Sequence, residues 1–219
     1  IAHAASIHAL EQCRWFRLNY PKLFLIAGTF GSPEALEEFD KLSNQAVDAY
    51  RVNAGSGSIC QTRGKTGFGY PQFELVRRTA PYFPVISDGG CNTPGDIAKC
   101  LALGAQAVMV GSMLAGTAEA SGTVKTQLEN GAITIRAEYN GSASGRYAEG
   151  IRTSEGIKGL VPHKGPVHKI FLDIEGGLRS ALSYANAINL AEFVKNVEFI
   201  RVSSACKIES DTRVEAIGE

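Results

Sequence analysis

The sequence predicts an α/β fold in which four βα units form a parallel sheet, which is half of a (β/α)8 TIM barrel. Short apolar runs alternate with helical stretches along the chain, and this alternation is typical of parallel sheets. Each predicted strand ends in a polar or glycine-rich loop. Because the carboxyl ends of parallel strands meet at one edge, we expect these loops to form a single functional rim.

The elements of the sheet are predicted in chain order. The four strands are expected at 22–27, 46–52, 82–87 and 106–110. Ser32 before Pro33 is typical of an N-cap followed by the first helical residue. Thr93 stands three residues before Asp96, which is the spacing of a capping box. Gly104 lies where this helix would end in a left-handed residue.

The pattern weakens in the second half of the chain, and we predict a single catalytic domain over 1–219. Residues 116–169 are rich in Gly, Ser, Glu and Lys and are expected to form a lid-like excursion, with a small hairpin at 132–139. A helical period returns at 176–194. Residues 203–219 are expected to form a polar tail.

The composition indicates a globular protein with a core, because 44% of the 219 residues are hydrophobic. Lys and Arg number 22, as do Asp and Glu, so we expect no binding to nucleic acid or to an acidic membrane. The five cysteines include no CxxC pair and indicate reduced thiols in a cytoplasmic protein. No apolar run approaches the ~18 residues of a membrane span.

Cys60 is the strongest candidate for chemistry. It lies in a glycine-rich segment, residues 53–67, which we call the Cys60 loop and which follows a predicted strand. Arg63 and Lys65 are close in sequence. Access to solvent and positive surroundings both favour a nucleophilic thiolate.

Two further strand ends have the composition of phosphate-binding loops. Gly89 and Gly90 follow one strand, and Gly111 and Ser112 follow the next. Glycines let the backbone approach a phosphate, whose oxygens accept N–H and hydroxyl hydrogen bonds. Both segments are equally consistent with tight βα turns. Asp88 has two roles open to it, as acceptor for the hydroxyls of a ribose or as a helix cap.

Residues 55–72 resemble the signature loop of the inosine monophosphate dehydrogenase and guanosine monophosphate reductase superfamily. The resemblance is long and specific, and it covers nearly the whole chain in family order. It continues through 87–90, 111–116, 176–180 and 199–202.

The resemblance implies a purine nucleotide at the rim, with Cys60 attacking C2 of the base to form a covalent intermediate. Thr62 and Glu155 would handle protons beside the thiol adduct. Asp88 would bind the ribose. Implied substrate contacts are Ser58, Asp88, Gly89, Gly90, Gly111, Ser112, Tyr139, Gly141, Ser142, Ala143, Arg152 and Ser154.

The resemblance also implies NADPH, or alternatively NAD, and a monovalent cation such as potassium. Cofactor contacts would come from Thr29, Asn53 and Gly55, and cation ligands from the loop carbonyls of Gly55, Gly57 and Cys60. Thr29 replaces an asparagine usual in the family, and Asn53 replaces a glycine. Both departures concern the hydride step.

Three functions remain open, and the sequence favours the first. The first is an NADPH-dependent reductase that converts GMP to IMP and ammonia. The sequence favours it because only a short segment separates Ser144 from Ser154, where the dehydrogenases carry a long flap. The second is a dehydrogenase that oxidises IMP to XMP with NAD. The third is a purine-nucleotide-binding subunit of a split or regulatory assembly, without hydride transfer.

The expected partners follow from the half barrel. Its first and last strands would expose unpaired backbone edges. We therefore expect an N-terminal half-barrel in cis or in trans, which would also supply a catalytic-site aspartate before Ile1. The resemblance implies a homotetramer built on the completed barrel.

Overall fold

A computed structural model describes residues 4–129, 131–141, 154–204 and 206. A parallel sheet of four strands, in the spatial order β1-β2-β3-β4, confirms the predicted α/β fold class. The strands are β1 (Ile26–Phe30), β2 (Ala49–Val52), β3 (Val85–Asp88) and β4 (Ala107–Met109). The spatial order equals the chain order, as successive βα units of a barrel require.

Helices alternate with these strands and continue after them. They are α1 (Ile7–Asn19), α2 (Pro33–Ser43), α3 (Thr62–Thr66), α4 (Gln72–Thr79), α5 (Pro94–Ala102), α6 (Val167–Tyr184) and α7 (Leu190–Asn196). Within the described ranges, none of the helices has the length and apolarity needed to cross a membrane.

The predicted helix boundaries around α2 and α5 are confirmed. Ser32 is the N-cap of α2, and its hydroxyl accepts a hydrogen bond from the Ala35 N–H. Thr93 and Asp96 form both hydrogen bonds of a capping box at the start of α5. Gly104 has a φ of 97° just after α5. These ends were predictable because each depends on residues a few positions apart.

The core lies on one face of the parallel sheet. Phe30, Val52 and Val85 are fully buried and belong to one cluster with Leu36 of α2 and Leu75 of α4. Their neighbours in the strands point to the opposite face, since side chains alternate along a strand. That opposite face carries Ile26, Arg51, Ile86, Asp88 and Met109, which are all exposed or half-buried.

A second sheet occupies much of the expected excursion. Its antiparallel strands have the order β5 (Val124–Glu129), β6 (Ala132–Asn140) and β7 (Lys158–Pro162). The predicted hairpin at 132–139 is wrong, because these residues form the single central strand β6. Its alternating pattern reflects pairing with both neighbours, β5 before it and β7 after it.

Other boundaries also differ from the prediction. Strands β2 and β3 begin three residues later than expected, at Ala49 and Val85. The first strand begins at Ile26, because residues 20–23 form a turn closed by the Leu23 N–H on the Tyr20 carbonyl. The helical stretch predicted at 176–194 is two helices, α6 and α7. Asn186, at a φ of 48°, lies in the connection that separates them.

Candidate active site

The Cys60 loop is held against residues 155–157, which lie directly before β7 of the second sheet. Cys60, which is half-buried, forms an isolated antiparallel bridge with Gly156. The Gln61 N–H donates to the Glu155 carbonyl at 2.7 Å, and the Ile157 N–H donates to the Ile59 carbonyl at 3.1 Å. The thiol and the Glu155 carboxylate are therefore fixed by the same short stretch of backbone pairing.

Cys60, Thr62 and Glu155 form a continuous hydrogen-bonded line. The Cys60 thiol donates to Thr62 Oγ1 at 3.1 Å. Thr62 Oγ1 in turn donates to Glu155 Oε2 at 2.7 Å, across 93 residues of sequence. A proton leaving the thiol can thus pass through the threonine hydroxyl to the carboxylate, which is the arrangement of an activated nucleophile with its base.

Arg63 closes the Cys60 loop. Its guanidinium donates to the carbonyls of Ala54, at 3.2 Å, and Tyr70, at 2.7 Å. Its aliphatic stem packs against Gly55, where an added Cβ would lie 2.5 Å from Arg63 Cγ. Arg63 therefore joins the start of the loop to Tyr70, three residues beyond the end of the loop.

Asp88 is anchored by two donors at the end of β3. Its Oδ2 accepts from Arg51 at 2.7 Å and from the Asn53 side-chain amide at 3.2 Å. The helix-cap alternative for Asp88 is wrong, because Thr93 caps α5. Arg51 was not predicted as a site residue, although a charged residue inside a buried strand is a signal for one. Asp88 remains able to accept further hydrogen bonds through Oδ1.

The two predicted phosphate loops are in contact with each other. Gly89 and Gly90 have φ values of 82° and 79°, a left-handed pair that only glycines adopt readily. Two residues on, the Asn92 Oδ1 accepts a hydrogen bond from the Ser112 hydroxyl at 3.0 Å. Ser58 is exposed on the Cys60 loop.

Tyr139 of β6 brings the second sheet beside the predicted phosphate loop at Gly111. A Cβ added to Gly111 would lie 2.9 Å from the Tyr139 hydroxyl. Both residues line a cavity of about 310 Å³. Burial, and then the nearby Asp88 carboxylate, raise the pKa of Tyr139 above its usual value. The hydroxyl therefore stays protonated at neutral pH and can donate a hydrogen bond.

The residues expected around the base are described only in part. Gly141 approaches the Cys60 loop, since its added Cβ would lie 2.9 Å from Ile59 Cδ1. The Ser154 hydroxyl donates to the Gly156 carbonyl at 2.7 Å. Ser142, Ala143 and Arg152 lie outside the described residues.

Two of the predicted cofactor contacts lie at adjacent strand ends. Thr29 is half-buried near the end of β1, and the Asn53 N–H after β2 donates to the Phe30 carbonyl at 3.0 Å. The Asn53 amide donates to Asp88 and accepts from the Ser56 hydroxyl, so the Thr29 hydroxyl and the second amide N–H of Asn53 are the groups that would hold a nicotinamide carboxamide. Gly55 does not fit this role, because Arg63 covers it.

The carbonyls predicted as potassium ligands lie in the Cys60 loop. The Gly57 carbonyl accepts the Cys60 N–H at 3.0 Å, and the Arg63 side chain lies beside Gly55. A potassium ion at these carbonyls stays a prediction. Over the ranges that the structure covers, no group of three His, Cys, Asp or Glu side chains is placed to hold a metal.

Comparison with known proteins points to one family. The protein-family model described as "IMP dehydrogenase / GMP reductase domain" matches residues 1–213. Inosine-5'-monophosphate dehydrogenase of Nitrosopumilus maritimus is 39% identical over 96% of this chain and 47% of its own length. GMP reductase 1 of Homo sapiens is 38% identical over 93% of this chain and 60% of its own length.

A solved structure agrees with the sequence matches. The C318A GMP reductase of Trypanosoma brucei, in complex with guanosine 5'-monophosphate, superposes with a TM-score of 0.86 at 32% identity. The match covers 99% of this chain and 46% of that one. This chain thus spans about half the length of several proteins that it resembles, which agrees with a partial barrel.

Proposed function

The chain belongs to the IMP dehydrogenase / GMP reductase family, and on that premise we propose that it carries the purine-nucleotide site of an NADPH-dependent GMP reductase. The relatives divide between two activities at similar identity, 39% for a dehydrogenase and 38% for a reductase. The choice between them therefore has to rest on the site itself.

The observation that carries the proposal is the line from Cys60 through Thr62 to Glu155. In the proposed reaction the Cys60 thiolate forms a C–S bond at C2 of GMP, and the C–N bond to the exocyclic amine breaks. Glu155 takes the thiol proton through Thr62 and returns it to the departing ammonia. The hydroxyl between sulfur and carboxylate, at 3.1 and 2.7 Å, supports this path.

The remaining residues bind the nucleotide. Asp88, held by Arg51 through Oδ2, would accept the ribose hydroxyls through Oδ1. Tyr139 and Ser112 would hold the phosphate from two sides. When bound, NADPH supplies the hydride that replaces the Cys60 sulfur at C2 and yields IMP. The alternative cofactor NAD belongs to the dehydrogenase hypothesis.

The two alternatives make different demands on the same site. A dehydrogenase must activate water, for which the dehydrogenases of the family carry a long flap, and the short segment between Ser144 and Ser154 supports the reductase instead. A nucleotide-binding subunit without hydride transfer is motivated by Thr29 and Asn53, which depart from the family pattern.

Turnover assays of the full-length protein separate the three functions. With GMP and NADPH, we expect one ammonia released for each NADPH oxidised. NAD-dependent oxidation of IMP by the unmodified protein would instead establish the dehydrogenase. Tight binding of a purine nucleotide without turnover in either assay would establish the binding subunit.

A further inference from the structure

Lys164 is a half-buried lysine that the proposed chemistry does not use. It lies after β7, and its ammonium donates to the carbonyls of Ser112, at 2.7 Å, and Met113, at 3.0 Å. In the part of the chain that the structure covers, no carboxylate pairs with it. Burial lowers the pKa of the Lys164 ammonium from its usual value.

The backbone around Lys164 is docked on the same segment. The Lys164 N–H donates to the Gly116 carbonyl, and the Ala118 N–H donates to the Gly165 carbonyl, each at 2.8 Å. Gly116 permits this approach, since an added Cβ would lie 2.3 Å from the Pro162 carbonyl oxygen. The position of the ammonium under the turn at 111–113 is therefore fixed by main-chain contacts.

The turn above the ammonium is one of the two predicted phosphate loops. Neither loop, at 88–92 or at 111–113, contains a lysine or an arginine. A phosphate monoester carries about −1.5 to −2 charges at neutral pH. A charge of that size at the turn would need compensation that backbone N–H groups and hydroxyls supply only in part.

We propose that Lys164 is a positioning residue that compensates the charge of the nucleotide's 5'-phosphate through the turn at 111–113. The ammonium binds the carbonyl oxygens of Ser112 and Met113. The Ser112 carbonyl shares its peptide group with the Met113 N–H, which the ammonium polarises toward an anion, whereas the Leu114 N–H of the next peptide group donates to the Gly111 carbonyl at 3.0 Å. Since no carboxylate of the described residues forms an ion pair with Lys164, its charge acts on the loop directly. This inference rests on the proposed nucleotide site and adds a residue outside the loops themselves.

Three substitutions separate charge from packing and from hydrogen bonding. Lys164→Met keeps the length of the side chain without charge or donors. Lys164→Gln keeps two N–H donors for the carbonyls without charge. Lys164→Arg keeps the charge. Lys169→Met is the matched control, because Lys169 is an exposed lysine near the start of α6.

The measurement is the affinity of the full-length protein for GMP and for guanosine, by calorimetry. We expect Lys164→Met and Lys164→Gln each to weaken GMP binding about tenfold and to leave guanosine binding within about twofold. Lys164→Arg should restore most of the GMP affinity, and Lys169→Met should change neither ligand. Melting curves of all variants report whether they fold.

Two results would overturn the inference. Recovery of GMP affinity in Lys164→Gln would show that the lysine acts as a hydrogen-bond donor alone. Equal losses for GMP and guanosine in folded variants would show that it supports the fold and not the phosphate. If the unmodified protein binds no purine nucleotide, the proposed function itself fails, and this is seen before any variant is made.

Discussion

The chemistry proposed here depends on one hydroxyl between a thiol and a carboxylate. Thr62 accepts a hydrogen bond from Cys60 and donates one to Glu155, so its single proton sets the direction of both hydrogen bonds. A charged acceptor makes the second hydrogen bond the stronger one. The thiol can therefore lose its proton without a histidine, which is the usual base for catalytic cysteines.

Glu155→Gln removes the base and keeps the shape of the side chain. We expect kcat for GMP to fall by about 10²- to 10⁴-fold, because acid–base catalysis contributes that much, while the dissociation constant of GMP changes little. Steady-state kinetics and calorimetry give the two values. Glu175→Gln is the control, since that carboxylate is exposed and pairs with Arg179 four residues on. A similar loss of GMP affinity and of kcat in Glu155→Gln would contradict the assigned role.

The residues of the site were predictable to different degrees. Cys60 could be identified locally, because its glycine-rich surroundings lie within a few residues. The pairing of Asp88 with Arg51 could not, because it depends on β2 and β3 lying side by side in the register that pairs Arg51 with Ile86. Lys164 was missed for the same reason, since its partners lie 51 and 52 residues earlier.

At the scale of elements, local signals were reliable and the pairing of distant strands was not. The N-caps at Ser32 and Thr93 are complete within three residues. The alternating stretch of β6, by contrast, predicted a hairpin, because alternation alone does not reveal how many strands pair with it. The three-stranded sheet becomes evident only with β7, which follows β6 after a long interval.

Adjacent glycines in α6 provide a test of how that helix packs. Gly176 has no atom within 4 Å of an added Cβ, whereas at Gly177 the added Cβ would lie 2.4 Å from the Cβ of Pro94 in α5. We expect Gly176→Ala to raise the free energy of unfolding by about 1 kcal/mol through helix propensity. Gly177→Ala should lower it by about 1–3 kcal/mol through overpacking.

Denaturant unfolding of the two alanine variants measures this difference. Each glycine is the control for the other, because both substitutions add one methyl group to the same helix. Stabilisation by Gly177→Ala would mean that α6 does not lie against the start of α5.

At the scale of the whole molecule, the parallel sheet is open on two sides. In the described part of the chain, β1 and β4 are the edges of this sheet. On the face opposite the core, Ile26 and Met109 are 38% and 45% exposed. Exposed strand edges beside apolar side chains favour association with further strands.

Sedimentation of the purified 219-residue chain tests this expectation. We expect self-association or aggregation, and rescue by a co-expressed N-terminal half-barrel, because both would cover the edges of the sheet. A folded monomer with a cooperative melt and no partner would refute the half-barrel hypothesis.

The five cysteines differ in how deeply they are buried. Cys13, Cys91 and Cys100 are at most 4% exposed, while Cys60 and Cys206 are half-buried. The Cys91 thiol, followed by the Ser87 hydroxyl, lowers the pKa of Cys100. Burial of Cys100 nevertheless keeps reagents away from its thiol, whereas Cys60 lies at the rim where a nucleotide is proposed to bind.

Incubation of the intact protein with a purine nucleotide analogue that is electrophilic at C2, followed by peptide mapping, therefore tests the central claim most directly. The account predicts one adduct per chain, at Cys60, that excess GMP prevents. It also predicts that Cys60→Ala binds GMP with unchanged affinity but forms no adduct and has no turnover. Labelling mainly at Cys91 or Cys13, or labelling that GMP does not prevent, would contradict the assignment of Cys60 as the nucleophile.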